Sequence, residues 1–240
     1  MIVLLLHLHV KFSKMKTLLQ NIRPEIQDGI FLKNPESSAL GKRIVKEGVL
    51  LIDEIGFEAF TFKKLGERIQ TNESSVYRYF ENKHKFLLYI SSWYWSWMEC
   101  RLVFETANLV DANDQLMKAV LLVTEDTADD ISSDYIDESV LKRIIISDFT
   151  KTFLTKEVDD ENREGFFKIY KRVIYRITEI IKEVNPAYSF PESLASNIVE
   201  GAMHQHFLKQ HFKTITSCNE SVSPADFYID MVKSILIKPV

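Results

Sequence analysis

Residues 61–83, with the sequence TFKKLGERIQTNESSVYRYFENK, constrain the fold more than any other stretch of this chain. Their pattern predicts two short helices joined by a tight turn, with Thr61 and Asn72 placed as N-terminal caps. The second helix is short and polar on one side. A short exposed helix that is braced by a preceding helix has the size to enter the major groove of DNA.

Apolar residues at helical spacing give both helices an inner face. The inward positions are Phe62, Leu65 and Ile69 in one helix and Val76, Tyr79 and Phe80 in the other. The second helix then presents an outward or edge face made of Glu73, Ser74, Ser75, Tyr77 and Arg78.

A longer helix is predicted before this pair, over about residues 38–55. Ser37 or Ser38 can cap its start, and Gly56 is well placed as a left-handed stop residue. An apolar stripe runs along it through Ile44, Leu51, Ile52 and Ile55. The three helices together predict a compact trihelical core.

The rest of the 240-residue chain is also predicted to be helical. Hydrophobic residues make up 46% of the sequence, and only 7 Gly and 6 Pro interrupt it, which argues against many short strands. Asn82 opens a long fourth helix. Further helical patterns lie near residues 114–130, 135–154, 162–184, 192–213 and 225–237.

We therefore expect an all-α protein with three parts. Residues 1–37 form an N-terminal extension, within which Met15 offers an alternative start. Residues 38–84 form a three-helix helix-turn-helix domain. Residues 85–240 form a C-terminal helical-bundle domain.

Charge is distributed unevenly along the chain. Residues 1–90 carry 14 Lys and Arg against 10 Asp and Glu, whereas residues 91–240 carry 16 against 24. A mildly basic front and an acidic remainder suit a nucleic-acid reader joined to a part that must not bind DNA.

The sequence also bears on the cellular compartment. The first ten residues, MIVLLLHLHV, are too short to span a bilayer and lack the basic region and cleavage site of a secretory signal. The two cysteines, Cys100 and Cys218, make neither a disulfide framework nor a CxxC metal pattern. A cytoplasmic protein without membrane association is the expectation.

Several residues of the front segment match a known signature. The chain has Gly56-Phe57-Glu58-Ala59, then Thr61-Phe62, and after the turn Val76-Tyr77-Arg78-Tyr79-Phe80 followed by Lys83. This block resembles the N-terminal signature of the TetR family of bacterial transcriptional regulators. Three positions depart from it: Gly66 stands where alanine is usual, Gln70-Thr71 replaces glycine-valine in the turn, and Glu73 replaces a residue that is often basic.

The resemblance implies a DNA-binding surface made of Thr61, Lys63, Asn72, Glu73, Ser74, Ser75, Tyr77, Arg78 and Lys83. Thr61, Tyr77 and Lys83 are expected on phosphates, and Ser74, Ser75 and Arg78 at base edges. Alternatives remain for some of them. Tyr77 could pack against the first helix, Arg78 and Lys83 could be solvated charges, and Glu73 could serve its helix N-terminus.

The run WYWSW, residues 93–97, is the second distinctive feature. Trp93 and Trp97 share one helical face, which is typical either of ordinary core or dimer packing or of an aromatic wall for an apolar or planar ligand. The candidate ligand-binding residues are Trp93, Trp97, Phe104, Tyr175 and His204. The spacing of His204 and His211 is too wide for one metal ion, so neither a metal nor a cofactor is expected.

The sequence contains no catalytic motif such as a Gly-rich phosphate loop, a nucleophile elbow or HExxH, so an enzyme is not expected. The resemblance instead implies a homodimer that binds a palindromic operator in double-stranded DNA, with residues 192–213 and 225–237 as the dimer interface. A small apolar effector would move the long fourth helix and release a repressor. The alternative is a helical ligand-binding or adaptor protein that has lost operator reading.

Overall fold

The computed structural model describes residues 26–125 and 136–236 and shows no β-strand in these ranges. The alternative start Met15 lies outside them. Ten α-helices are described: α1 (Ala39–Ala59), α2 (Phe62–Arg68), α3 (Glu73–Tyr77), α4 (Lys83–Thr106), α5 (Ala112–Thr124), α6 (Glu138–Asp148), α7 (Val158–Arg163), α8 (Lys168–Val184), α9 (Pro191–His211) and α10 (Pro224–Leu236). The predicted all-α class is confirmed.

The chain divides into two compact units. Within the described residues, the first unit holds 26–97 and 136–167, and the second holds 98–125 and 168–236. Helix α4 contributes residues to both. The three-part domain division given by the sequence stays a prediction.

Helix α1 begins and ends much as its sequence predicts. The Ser38 hydroxyl oxygen accepts a hydrogen bond from the Gly41 N–H at 3.0 Å, as a cap should. Gly56 has a φ of 77°, which interrupts the helical geometry before one further turn reaches Ala59. The predicted stripe is buried at Ile44, Leu51 and Ile52, whereas Ile55 is 37% exposed, so the buried stripe stops one turn before the break.

Helices α2 and α3 bury the six inward residues that the sequence predicts: Phe62, Leu65, Ile69, Val76, Tyr79 and Phe80. Thr61 caps α2, since its hydroxyl oxygen accepts from the Lys64 N–H at 3.2 Å. Asn72 occupies the N-cap position of α3, but its side chain accepts no capping hydrogen bond, so that part of the prediction is wrong.

Aromatic rings join these short helices to the start of α4. The Asn82 side chain accepts from the Lys85 N–H at 2.9 Å, as expected of the residue that opens α4. One turn later the Phe86 ring stacks on Phe60 at a centroid distance of 5.4 Å and meets the Phe80 ring edge-on at 5.1 Å.

A distant part of the chain completes the first unit. Helix α6 packs on α1, and Arg143 of α6 makes two hydrogen bonds to Asp53. His84 Nε2 lies 3.0 Å from a carboxylate oxygen of Glu161 in α7, whose side chain is almost fully buried. The sequence pattern alone did not predict that residues 136–167 would pack here.

The second unit packs α5, α8, α9 and α10 together. Its core is mostly aliphatic, with the side chains of Val120, Val173, Ile177 and Ile198 fully buried. The buried His206 of α9 lies 2.8 Å from the carbonyl oxygen of Thr124, at the end of α5. Within the described residues, no helix is long and apolar enough to cross a membrane.

Candidate DNA-binding surface

The turn between α2 and α3 is built around two unusual residues. Gln70 has a φ of 53°, in the left-handed region that non-glycine residues rarely adopt. The Thr71 N–H donates to the Gly66 carbonyl at 2.8 Å and closes the turn. A Cβ on Gly66 would lie only 2.9 Å from the Thr71 carbonyl oxygen. The usual alanine at this position would therefore clash with the close turn that the structure has here.

Hydrogen bonds hold the residues that follow α3 against the start of α1 and the segment before it. Tyr79 is buried, and its hydroxyl lies 2.7 Å from the Ser38 hydroxyl at the start of α1. Its carbonyl oxygen accepts from the Leu32 N–H at 2.8 Å. The segment before α1 therefore helps to hold the third helix, and Ile30 within it is only 1% exposed.

The predicted DNA-contacting residues all belong to the first unit, and most of their side chains are open to solvent. The exposed residues are Thr61, Lys63, Asn72, Ser74, Tyr77 and Arg78, and the partly exposed ones are Glu73, Ser75 and Lys83. The Tyr77 ring meets Phe62 of α2 edge-on at 5.0 Å and leaves 46% of the residue exposed. Tyr77 thus packs on α2 rather than on α1 and keeps part of its surface exposed.

Two of the lysines are bound to the C-terminal end of α1. The Lys83 ammonium donates to the carbonyl oxygens of Phe57 and Glu58, both at 3.1 Å, and lies 4.8 Å from the centre of the Phe57 ring. The Lys64 ammonium donates to the Ala59 carbonyl at 2.8 Å. Cations are favourable at a helix C-terminus, so both lysines stabilise the end of α1. A phosphate contact from Lys83 would require it to share or release these bonds.

A third basic residue is neutralised inside the first unit. Arg68 at the end of α2 donates to Glu47 at 2.8 Å and to both carboxylate oxygens of Glu54 at 2.7 and 2.8 Å. Hydrogen bonding to Arg68 lowers the pKa of Glu54 below its usual value. Of the basic residues in α2, Lys63 is therefore the one left open to solvent without a described partner.

The chain's likeness to known proteins agrees with this geometry. Residues 44–90, which run from α1 through α3 into α4, match the model of the bacterial regulatory proteins of the tetR family. Over these residues the chain is similar to the N-terminal domain of the TetR family. No curated relative matches the sequence.

Solved structures extend the likeness beyond the matched residues. A TetR-family regulatory protein from Rhodococcus RHA1 is 17% identical, with a TM-score of 0.57 over 83% of this chain and 97% of its own. A putative transcriptional regulator from Saccharomonospora viridis in complex with choline is 15% identical, with a TM-score of 0.56 over 82% and 95%. AibR in complex with isovaleryl coenzyme A and operator DNA is 16% identical, with a TM-score of 0.52 over 81% and 98%. At these identities the likeness shows the fold alone.

The five predicted ligand-binding residues are dispersed. Trp93 and Trp97 are buried in the core of the first unit, at 3% and 1% exposure. Phe104, Tyr175 and His204 belong to the second unit and are exposed. Of the five, Tyr175 alone lines the cavity of about 340 Å³ in that unit.

Sequence reasoning missed the charged residues beside this cavity. Glu99 of α4 is almost buried and binds two arginines of α8, Arg172 at 2.7 Å and Arg176 at 2.8 Å. Burial opposes ionisation of Glu99, but hydrogen bonds from the two arginines outweigh it and lower its pKa. The one available signal was the spacing of the arginines, which places both on one face of α8.

Proposed function

We propose that this chain is a TetR-like cytoplasmic transcriptional repressor that binds a palindromic operator as a homodimer. One observation carries the proposal: α3 presents polar, exposed side chains while the residues behind it are held in a rigid aromatic core. A short helix that is exposed on one side and fixed on the other is suited to enter the major groove. A catalytic function has no positive support in the chain.

Each part of the surface has a proposed role. Thr61, Lys63 and Tyr77 contact phosphates and set the position of the protein on the duplex. Ser74, Ser75 and Arg78 face base edges, where the Arg78 guanidinium suits a guanine. Asn72 and Glu73 open α3 and approach the same groove. Lys83 joins the phosphate contacts if it exchanges its carbonyl partners for a phosphate.

Dimerisation through the second unit has support in its exposed apolar residues. Large hydrophobic side chains around α9 and α10 remain open to solvent, with exposures of 64% for Phe190, 52% for Phe212, 68% for Ile215, 43% for Phe227 and 40% for Ile235. Exposed apolar residues in such number are typical of a surface that a second protein covers. Pairing two copies would double the few contacts that one short helix makes.

Relief of repression by a small molecule is the proposed regulation. Similar folds are seen in AibR with isovaleryl coenzyme A and operator DNA, and in the Saccharomonospora viridis protein with choline. In this chain α4 starts at Lys83, a few residues after α3 ends at Tyr77, and continues to Thr106. A ligand that favours one position of α4 would change the distance between the two α3 helices of a dimer and weaken operator binding.

The first test is selection of DNA fragments from the source genome that the full chain retains. Affinity for a selected duplex should fall steeply as salt rises, because cation release accompanies phosphate contacts. Arg78→Ala should weaken binding about 10- to 100-fold and relax specificity at one base position. Lys168→Gln removes an exposed positive charge from the second unit and serves as the matched control, with affinity expected to stay unchanged.

The adaptor function is the second candidate, and the acidic residues around α3 favour it. Glu67 and Glu81 are exposed and Glu73 is partly exposed, while Lys64, Arg68 and Lys83 are engaged within the protein. If no fragment is retained and no duplex binds even at low salt, the adaptor function replaces the repressor. An unchanged operator affinity with a tightly bound ligand would refute only the proposed relief.

A further inference from the structure

The cavity in the second unit has apolar walls and a charged edge. Leu102, Val103, Ile177 and Ile180 supply apolar lining from α4 and α8. Its volume of about 340 Å³ accommodates a ligand of about eleven non-hydrogen atoms, at ~30 Å³ for each. Tyr175 and Arg176, which also line it, are 62% and 46% exposed, so the cavity opens to solvent beside them.

Few polar groups of the lining are free to meet a ligand. The Thr106 hydroxyl donates to the Leu102 carbonyl at 2.6 Å, and the Gln115 amide nitrogen donates to the Leu109 carbonyl at 2.6 Å. The Glu179 carboxylate pairs with Lys182 at 3.3 Å. These bonds leave Arg176 as the strongest available donor in the lining.

The guanidinium of Arg176 is hydrogen-bonded along one edge and open along the other. Its Nε donates to Glu99 at 2.8 Å, which fixes the guanidinium against an almost buried carboxylate. Among the described residues, no acceptor faces its two terminal nitrogens. An arginine with two free, parallel N–H groups is suited to bind a carboxylate in bidentate fashion.

The charge balance favours an anion at the same place. Glu99 is shared by Arg172 and Arg176, so two positive charges face one negative charge. Nearby, Arg101 and Lys118 are balanced by Glu105 and Glu125. The Glu99 cluster therefore carries one positive charge in excess, and the apolar walls reduce the screening of its field. Glu179, elsewhere in the lining, shares Lys182 with Glu192, so the positive excess is local to the arginines.

From these observations we infer that the cavity binds an amphipathic carboxylate, with its carboxylate on Arg176 and its short apolar body between α4 and α8. This inference rests on the proposed function in treating the cavity as the effector site. It replaces the purely apolar effector expected from the sequence by an anionic one. The chemistry requires a charged head group and about seven to nine carbon atoms.

The test is calorimetric titration of the full chain, without DNA, using octanoate and its uncharged isostere octanamide. Octanoate should bind about 10-fold or more tightly than octanamide, since hydrogen bonds between charged groups are lost in the amide. Arg176→Gln should weaken octanoate about 10- to 100-fold and leave octanamide unaffected. Lys168→Gln, which removes a positive charge elsewhere on α8, should leave both affinities unchanged.

Glu99→Gln provides the decisive second variant. It removes a negative charge beside the bound carboxylate, while the amide oxygen can still accept from the Arg176 Nε–H. Octanoate should therefore bind about 3-fold or more tightly, a gain that loss of structure cannot produce. Equal affinities for octanoate and octanamide, or an unchanged octanoate affinity in Arg176→Gln, would overturn the inference. Octanoate binding that leaves operator affinity unchanged would refute the proposed relief of repression and leave the carboxylate site standing.

Discussion

The core of the first unit holds many aromatic rings, whereas aliphatic side chains fill most of the second. Around α3 and α4 the rings of Phe60, Phe80, Phe86 and Tyr89 meet at centroid distances of 5.1 to 5.4 Å. In the described part of the second unit, Tyr228 is the one aromatic side chain of the buried core. Rings pack in few orientations, while branched aliphatic side chains can repack at small cost. The difference teaches that the unit carrying α3 is built to keep one shape, and the other to tolerate adjustment.

The largest effect is expected from removing the central ring. Phe86→Ala should lower the free energy of unfolding by about 3–5 kcal/mol, since the fully buried ring contacts both Phe60 and Phe80. Ile181→Leu in the second unit should cost less than about 1.5 kcal/mol. Urea titration followed by near-ultraviolet circular dichroism measures both. Similar costs for Phe86→Leu and Ile181→Leu would contradict the contrast between the two cores.

A pair of helical glycines gives a smaller and closely matched comparison. A Cβ on Gly48 of α1 would collide with the end of the Phe86 ring, and one on Gly201 of α9 would collide with the Tyr228 hydroxyl. Gly48→Ala should destabilise by about 1–3 kcal/mol despite its gain in helix propensity. Gly201→Ala should cost less, because Gly201 is only partly buried whereas Gly48 is buried. A reversed order in thermal unfolding would count against a rigid first unit.

Low pH should lower the stability of the second unit because Glu99 becomes protonated. Its folded pKa lies below the ordinary value of 4.5, because the two arginine partners outweigh the effect of burial. The ion pairs therefore contribute their full stability above about pH 4.5, and the contribution is lost as the pH falls through the lower folded pKa. Glu99→Gln should flatten the pH dependence of the urea midpoint below pH 4.5. A variant that retains the wild-type acid sensitivity would assign that sensitivity to other carboxylates.

The smallest expected effect is a gain in stability. Gln70→Gly should stabilise the first unit by about 0.5–1 kcal/mol, since Gln70 has a positive φ that costs a side-chain-bearing residue more than glycine. Gly66→Ala is the matched change in the same turn and should destabilise, because its Cβ would press on the Thr71 carbonyl. Differential scanning calorimetry of both variants measures the two signs. A destabilised Gln70→Gly would show that the glutamine side chain makes a compensating contribution.

The sequence predicted the parts of the first unit that local rules decide. Thr61 as a cap, Gly56 as the break in α1 and the six inward residues of α2 and α3 depend on spacing within a few residues. Glu73 and Tyr77 were also placed on the outer or edge face, where both have solvent access. Short-range signals of this kind can be recognised in a sequence without any tertiary information.

Long-range pairing accounts for what was missed. His84 and Glu161 are 77 residues apart, and Glu99 and Arg176 are also 77 apart, so no local pattern joins them. The five residues 93–97 share no polar face to orient them, and all five are buried. Periodicity therefore cannot decide whether such a segment lines a ligand-binding site or packs in a core. The hydrogen bonds from Lys83 to backbone carbonyl oxygens could not be predicted either, because a lysine near a helix start is usually solvated.

The lysines at the end of α1 have a consequence for chemical labelling. Lys83 and Lys64 hold backbone carbonyl oxygens, whereas Lys63 beside them points its amine to solvent without a described partner. An amine-reactive reagent should therefore modify Lys63 first and Lys83 slowly. Acylation of Lys83 would remove its charge and all but one of its N–H donors, and so loosen the last turn of α1. The relative reactivity of the two lysines thus reports whether the end of that helix is held.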